Sequence, residues 1–381
     1  MKADLERSRL NLGIIPLVDC APIVLAEELG AFERRGLEVD IRREASWATI
    51  RDKVAVGALD AAQMLAPMPL ATTLGIDSVN VPMIAAMTLD LNGNAITLSQ
   101  ALWREIEDAA AGALPDGPLD PGALLPVVRA RATTGRSPLA LASVFPYSSH
   151  NYLLRLWLAA GGIDPDRDVR LSVVPPPHMI AHLSGGVIDG YCVGEPWNQQ
   201  AVSLDIGRIA VAGCDLWPAM PEKVLGTTEA WGRRHPETLA ALVGALIEAC
   251  AWLDEPANHA EAARVLASPR YVNAPAEIIA RSLALPGFHI FHRDGANFPW
   301  RSHADWFLAQ MVRWGQASAG CDLRAVADRV FRPDIFRAAA AVLGIACPTE
   351  DRKPEGAHGE PAAPSHAADP PAARSNASNA Q

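Results

Sequence analysis

Residues 37–65 read LEVDIRREASWATIRDKVAVGALDAAQML, and residues 169–193 read VRLSVVPPPHMIAHLSGGVIDGYCV. In the first, Leu37-Glu38-Val39-Asp40-Ile41 alternates as a strand, Ala48 to Val56 has helical spacing, and Asp60 to Leu65 reads as a second strand. In the second, Val169 to Val174, Met179 to Leu183 and Val187 to Val193 repeat that grammar. Gly57-Ala58-Leu59-Asp60-Ala61 and Gly186-Val187-Ile188-Asp189-Gly190 close the two helices in the same way. The pattern is an internal repeat of two βαβ lobes. Two such α/β lobes leave a cleft at the carboxyl ends of their strands, where open sheets bind ligands.

Outward from the repeat, Leu10 to Ile15 is a first strand, and Asp19 is placed to cap a helix from Ala21 to Leu29. The apolar run Val81 to Leu89 fits a buried strand of a parallel sheet. A helix is expected from Ala95 to Ile106, then a Gly/Pro-rich connection from Gly112 to Pro121. Leu139 to Phe145 is a strand, and His150 to Ala160 a helix closed by Gly161-Gly162. After Pro236 the spacing turns helical through Leu343. Pro348 to Gln381 has no Val, Ile, Leu, Met or aromatic residue and reads as a disordered tail. The expected division is a first lobe at 10–110, a second at 111–215, a return segment and helical region at 216–347, and the tail at 348–381.

Composition narrows the function. The chain of 381 residues is 50% hydrophobic, enough for a large core, and carries a net charge of −10. Direct nucleic-acid binding needs a basic footprint, which this balance does not supply. Its six cysteines include no CxxC pair, so neither a zinc ribbon nor a dithiol redox motif is present, and reduced thiols are expected. No run of 18 apolar residues is present, so no membrane span is expected. The opening Met1-Lys2-Ala3-Asp4-Leu5-Glu6-Arg7 mixes acids and bases, unlike a secretory leader. Leu17-Val18-Asp19-Cys20 departs from a lipoprotein box, which wants a small residue where Asp19 stands. A cytoplasmic location follows as an expectation.

There is no GxSxG elbow, no P-loop and no GxGxxG. His178 and His182 have zinc-protease spacing, but Met179 stands where the glutamate is required. His289, His292 and His303 read as packing or surface histidines. Neither an enzyme nor a resident metal or cofactor is expected. Binding residues, rather than a reaction, cluster at the turns after strands. Trp47 sits between a strand end and a helix start, equally readable as an anion-site ring or a core plug. Gly93-Asn94 presents an amide at another strand end, or a plain turn. Phe145-Pro146-Tyr147-Ser148-Ser149-His150-Asn151, Gly194-Glu195-Pro196-Trp197 and Pro221-Glu222-Lys223 complete the set, which offers many donors and few free acceptors.

The stretches ASWATIRD, LNGNAITLS, AGGIDP, VGEPWN and PEKVLG, in this order along Leu10 to Val342, resemble the nitrate/bicarbonate solute-binding family of NrtA/CmpA type. The resemblance implies a two-lobed periplasmic-binding-protein-like fold of type II with a helical C-terminal layer. It places the anion contacts on Trp47, Asn94, His150 and Lys223, with Gly93, Tyr147, Ser148 and Glu195 supporting them. Transporter members carry glutamine where Asn94 stands. Bicarbonate-binding members carry an acid and a divalent cation where Lys223 stands, so the lysine implies nitrate or nitrite without metal.

Without an export signal, the resemblance points to the cytoplasmic nitrate/nitrite sensors of NasS type. These restrain an RNA-binding antiterminator with an ANTAR domain, and ligand closure of the lobes would release it. The alternative is the substrate-binding component of an ABC transporter for nitrate or bicarbonate. Thiamine-pyrimidine synthases share the architecture, but their clustered cysteines are absent here.

Overall fold

The computed structural model describes residues 5–354, apart from 77, 113 and 115. The chain lays down β1 (Arg9–Ile14), β2 (Glu38–Arg43), β3 (Ala61–Leu65) and β4 (Met83–Asn92) in one sheet. It then crosses at Gly93 and builds β5 (Asn94–Ser99), β6 (Leu139–Ser143), β7 (Val169–Val173), β8 (Gly190–Gly194) and β9 (Gly207–Ala212) in a second. It returns with β10 (Pro221–Thr228) and β11 (His289–Ile290) to the first. The orders are β11-β4-β10-β3-β1-β2 and β7-β6-β8-β5-β9. Each lobe therefore repeats one plan, with β10 and β5 as the inserted antiparallel strands.

The repeat is visible at single residues. Asp60 accepts from Asn11 N through Oδ2 at 2.8 Å and donates its own amide to Asn11 O at 2.9 Å. Asp189 does the same to Ala140, at 2.8 and 2.6 Å. In both lobes the acidic turn after the helix clips the neighbouring parallel strand, β1 in one and β6 in the other, which is why the two sequence stretches match.

Several expectations need correction. Asp19 does not cap a helix: Val18–Cys20 forms a 3-10 turn into the helix Ala21–Glu28, and the Asp19 side chain is fully buried elsewhere. β4, which the run Val81 to Leu89 enters, is buried along its length, but it pairs antiparallel with β10 and β11. Continuous hydrophobicity reports burial on both faces, not strand direction. Asn94–Ser99 is a strand and not a helix start. Its residues are all buried between β8 and β9, and Ser99 Oγ caps the following helix Gln100–Ala109.

Residues 348–353, expected to belong to the tail, are packed against the fold. Asp351 takes Arg301 Nη1 and Arg337 Nη1, each at 2.7 Å, while Arg352 reaches Asp305 at 2.7 Å and Asp328 at 2.6 Å. Residues 348–353 are thus held by charge, which a count of apolar residues does not register. Residues 355–381, the rest of the expected tail, lie outside the described residues. The helix Pro236–Leu253 has the length and hydropathy of a membrane span, yet 61% of it is buried, packed on β4 and on the helices Ala21–Glu28 and Pro333–Val342. All six cysteines are free, and Cys20, Cys192 and Cys250 are buried.

Candidate functional site between the lobes

The site starts from an irregularity in β10. Pro221 faces Leu91 and Lys223 faces Asp90, so β10 advances two residues while β4 advances one. This bulge lets Glu222 and Lys223, adjacent in sequence, both turn their side chains into the space between the sheets. Both are completely buried. Lys223 Nζ lies 2.5 Å from Glu222 Oε1 and 2.8 Å from Asp19 Oδ2, and its backbone N–H donates to Asp90 Oδ1 at 3.1 Å.

The second lobe supplies the other side. Ser148 Oγ accepts from Asn151 N at 3.0 Å and so starts the helix Ser149–Ala160. The first turn of that helix carries Ser149, whose hydroxyl donates to Glu222 Oε2, and His150, whose Nε2 lies 2.9 Å from Glu222 Oε1. Asn94, first residue of β5, donates through Nδ2 to Glu222 Oε2 at 2.7 Å. Trp47 opens the helix Trp47–Ala55 behind the cap Ser46, and its ring centroid lies 5.5 Å from Lys223 Nζ, a cation–π arrangement. The indole is 1% exposed, and its Nε1 has no hydrogen-bond partner.

Trp47, Asn94, His150 and Lys223, named from sequence, therefore converge on one buried cluster. Of the supporting residues, Gly93 forms the crossover at φ 81°, and a Cβ there would lie 2.3 Å from His289 Cε1, so glycine is required. Ser148 is the helix cap. Tyr147 stands apart from Glu222 and donates to Ile76 O at 2.7 Å, joining lobe to lobe. Glu195 accepts from Gln199 N at 3.1 Å, and its carbonyl accepts from Val18 N at 2.8 Å, another link between lobes.

The expectation of a site with few acceptors fails. Three buried carboxylates, Asp19, Asp90 and Glu222, surround the single lysine. Glu222 was within a quoted stretch but overlooked beside its lysine. Asp19 is expected as a helix cap, and Asp90 lies one residue beyond the apolar run Val81 to Leu89. Gln63, which bonds Asp19 Oδ1 and accepts from Ile15 N at 2.8 Å, left no signal in an otherwise apolar strand. His289 is the packing histidine expected: it is buried, stacked on Phe291, with Nδ1 3.5 Å from Asp90 Oδ2.

Burial raises the Asp19 carboxyl to about 6 despite the pull of Lys223. Burial likewise lifts Asp90 well above the usual range and Glu195 to about 8. For Glu222, burial is outweighed by His150 and Lys223, which hold it well below the carboxylate range. Burial works against the Lys223 charge, but Asp19, Glu222 and Asp90 overcome it and raise the lysine above its ordinary value. His289 is pushed down to about 4 by burial and is neutral. The cluster thus holds an ionised Lys223–Glu222 pair flanked by carboxyls that protonate easily. Among the described residues, no group of three or more His, Cys, Asp or Glu has metal-holding geometry.

Comparison with known proteins places this arrangement. The NMT1-like family matches residues 3–267. The nitrate import ATP-binding protein NrtC of Synechocystis is 41% identical over 89% of this chain, which covers 51% of NrtC. The chain therefore spans about half the length of that relative. The nitrate/nitrite binding protein NrtA of Synechococcus elongatus is 34% identical, over 89% of this chain and 79% of NrtA. The bicarbonate-binding protein CmpA of the same organism is 32% identical, over 90% and 80%. The crystal structure of the periplasmic nitrate-binding protein NrtA from Synechocystis superposes with a TM-score of 0.84 at 30% identity, covering 92% of this chain and 93% of NrtA.

Proposed function

The chain belongs to the NMT1-like family, and from that premise we propose that it binds nitrate or nitrite between its lobes and acts as a sensor. The observation that carries this reading is the coordination of the Glu222 carboxylate. A planar, singly charged group is held by Lys223, His150, Ser149 and Asn94, with Trp47 against the lysine. Nitrate and nitrite present the same flat arrangement of oxygens and one negative charge, and both are met by donors.

We place the protein in the cytoplasm, where anion binding controls the release of an ANTAR-domain antiterminator, as the resemblance to NasS-type sensors implies. Two observations support this. The chain is 41% identical to NrtC, which is named an ATP-binding protein, and 34% identical to NrtA. In addition, cleavage at Cys20 for lipid anchoring would remove β1, which pairs with both β2 and β3 inside its sheet. A ligand controls a partner only through different affinity for two states, so release requires that the anion-bound form hold the antiterminator less tightly.

A second reading, an ABC-importer receptor for nitrate or bicarbonate, is favoured by the names of NrtA and CmpA and by the carboxylates beside Lys223, which would accept the bicarbonate hydroxyl. Copurification from native cells decides between them. A cytosolic complex with a small ANTAR-domain protein that nitrate dissolves supports the sensor. Membrane-bound protein with lipid on Cys20 supports the receptor and refutes the sensor.

A further inference from the structure

We propose that Glu222 is an intramolecular competitor for the interlobe anion site, holding the place of the ligand until nitrate or nitrite displaces it. The inference rests on the reading of that site as a nitrate or nitrite site. An ionised carboxylate offers about four acceptor positions: Lys223 Nζ donates to Oε1, Ser149 Oγ and Asn94 Nδ2 donate to Oε2, and His150 Nε2 lies 2.9 Å from Oε1. While Glu222 is seated it occupies the place on which Lys223, Ser149 and Asn94 converge, so a second anion cannot take the same position.

The donors belong to both lobes, whereas Glu222 belongs to β10 of the first sheet. Lys223 comes from the same strand, and Asn94, Ser149 and His150 come from the other lobe. The side chain therefore does what a bound ligand does in such a cleft, drawing the two faces together. The N-terminal turn of a 12-residue helix also faces the carboxylate, a place that favours an anion from any source.

Charge makes coexistence unfavourable. The Lys223 ammonium already faces Asp19 and Glu222, with Asp90 on the backbone N–H of the same residue, so a free anion added beside a seated Glu222 would crowd another negative group onto one ammonium. The bulge gives Glu222 a way out. It is the residue that the pairing with β4 skips, so moving its side chain breaks no register there, although its carbonyl still accepts from Ala66 N at 3.2 Å. The consequence is a higher threshold: the protein responds only at nitrate concentrations that overcome its own carboxylate.

The test compares wild type with Glu222→Gln, Glu222→Asp and Glu222→Ala by calorimetric titration with nitrate and by thermal melting with sodium formate. Glu222→Gln, nearly the same shape without the charge, is expected to bind nitrate at least tenfold tighter than wild type. Glu222→Asp, with a shorter reach, should show a smaller gain. In Glu222→Ala, formate should fill the vacated place, raise the melting temperature saturably and compete with nitrate, while leaving wild type unmoved. Wild type that binds nitrate alongside variants that bind it equally or less well would overturn the competitor role and make Glu222 a supporting residue. Failure of every form, wild type included, to bind nitrate, nitrite or formate would instead refute the anion site itself.

Discussion

Trp47 shows how one residue serves two ends. It lies in the core cluster with Ile50 and Val54 of its own helix, and it also faces Lys223. Of the two alternatives left open by the sequence, the plug is seen directly, and the same ring also lies against Lys223. Trp47→Ala is accordingly expected to destabilise the fold by about 3–5 kcal/mol, the range for removing a buried aromatic. Trp47→Phe keeps most of the packing and loses the indole N–H, so nitrate affinity should fall while the melting temperature shifts far less than in the alanine variant. Asp19 makes a pH prediction. Its pKa rises from 3.8 to about 6 on folding, so its contribution is fully present below 3.8 and is lost as pH rises through about 6. Between pH 7.5 and 5, wild type should therefore gain about 1–3 kcal/mol relative to Asp19→Asn, measured by urea unfolding at both pH values. A difference that stays flat across that range would mean that Asp19 remains ionised beside Lys223.

At the scale of elements, what was legible followed from local patterning. The paired βαβ units were readable because Asp60 and Asp189 make the same two hydrogen bonds, leaving the same sequence mark twice. The strand β5 was hidden because Ala95-Ile96-Thr97-Leu98 fits a helix or a strand equally well until β8 and β9 flank it. The bulge in β10 was invisible for a related reason: its partner β4 is more than a hundred residues distant in sequence, so nothing local marks Glu222 as the extra residue. The docked segment 348–353 was missed because arginine–aspartate pairs, not apolar side chains, hold it. Truncation after Cys347 leaves Arg301 and Arg337 without Asp351, and a melting temperature lower by a few degrees is expected by differential scanning calorimetry. An unchanged melt would show that these partly exposed pairs contribute nothing measurable.

The whole molecule is closed around its site. Trp47, Asn94, His150 and Lys223 are at most 1% exposed, and Tyr147 with Ile76, Glu195 with Val18, and Glu222 with Ser149 all span the lobes. No anion reaches Lys223 until the lobes part, so binding is gated. Stopped-flow tryptophan fluorescence should show an observed rate that levels off at high nitrate, at the opening rate. A rate that keeps rising linearly would mean that the site is open in solution. The central claim, metal-free binding of nitrate or nitrite between the lobes, is tested most directly by calorimetric titration of EDTA-treated wild type and Lys223→Met with nitrate, nitrite and bicarbonate, each with and without calcium. The account predicts one saturable nitrate site in wild type, unchanged by calcium and abolished in Lys223→Met, with bicarbonate at least tenfold weaker, a gap of about 1.4 kcal/mol. Calcium-dependent bicarbonate binding with no heat from nitrate would contradict it.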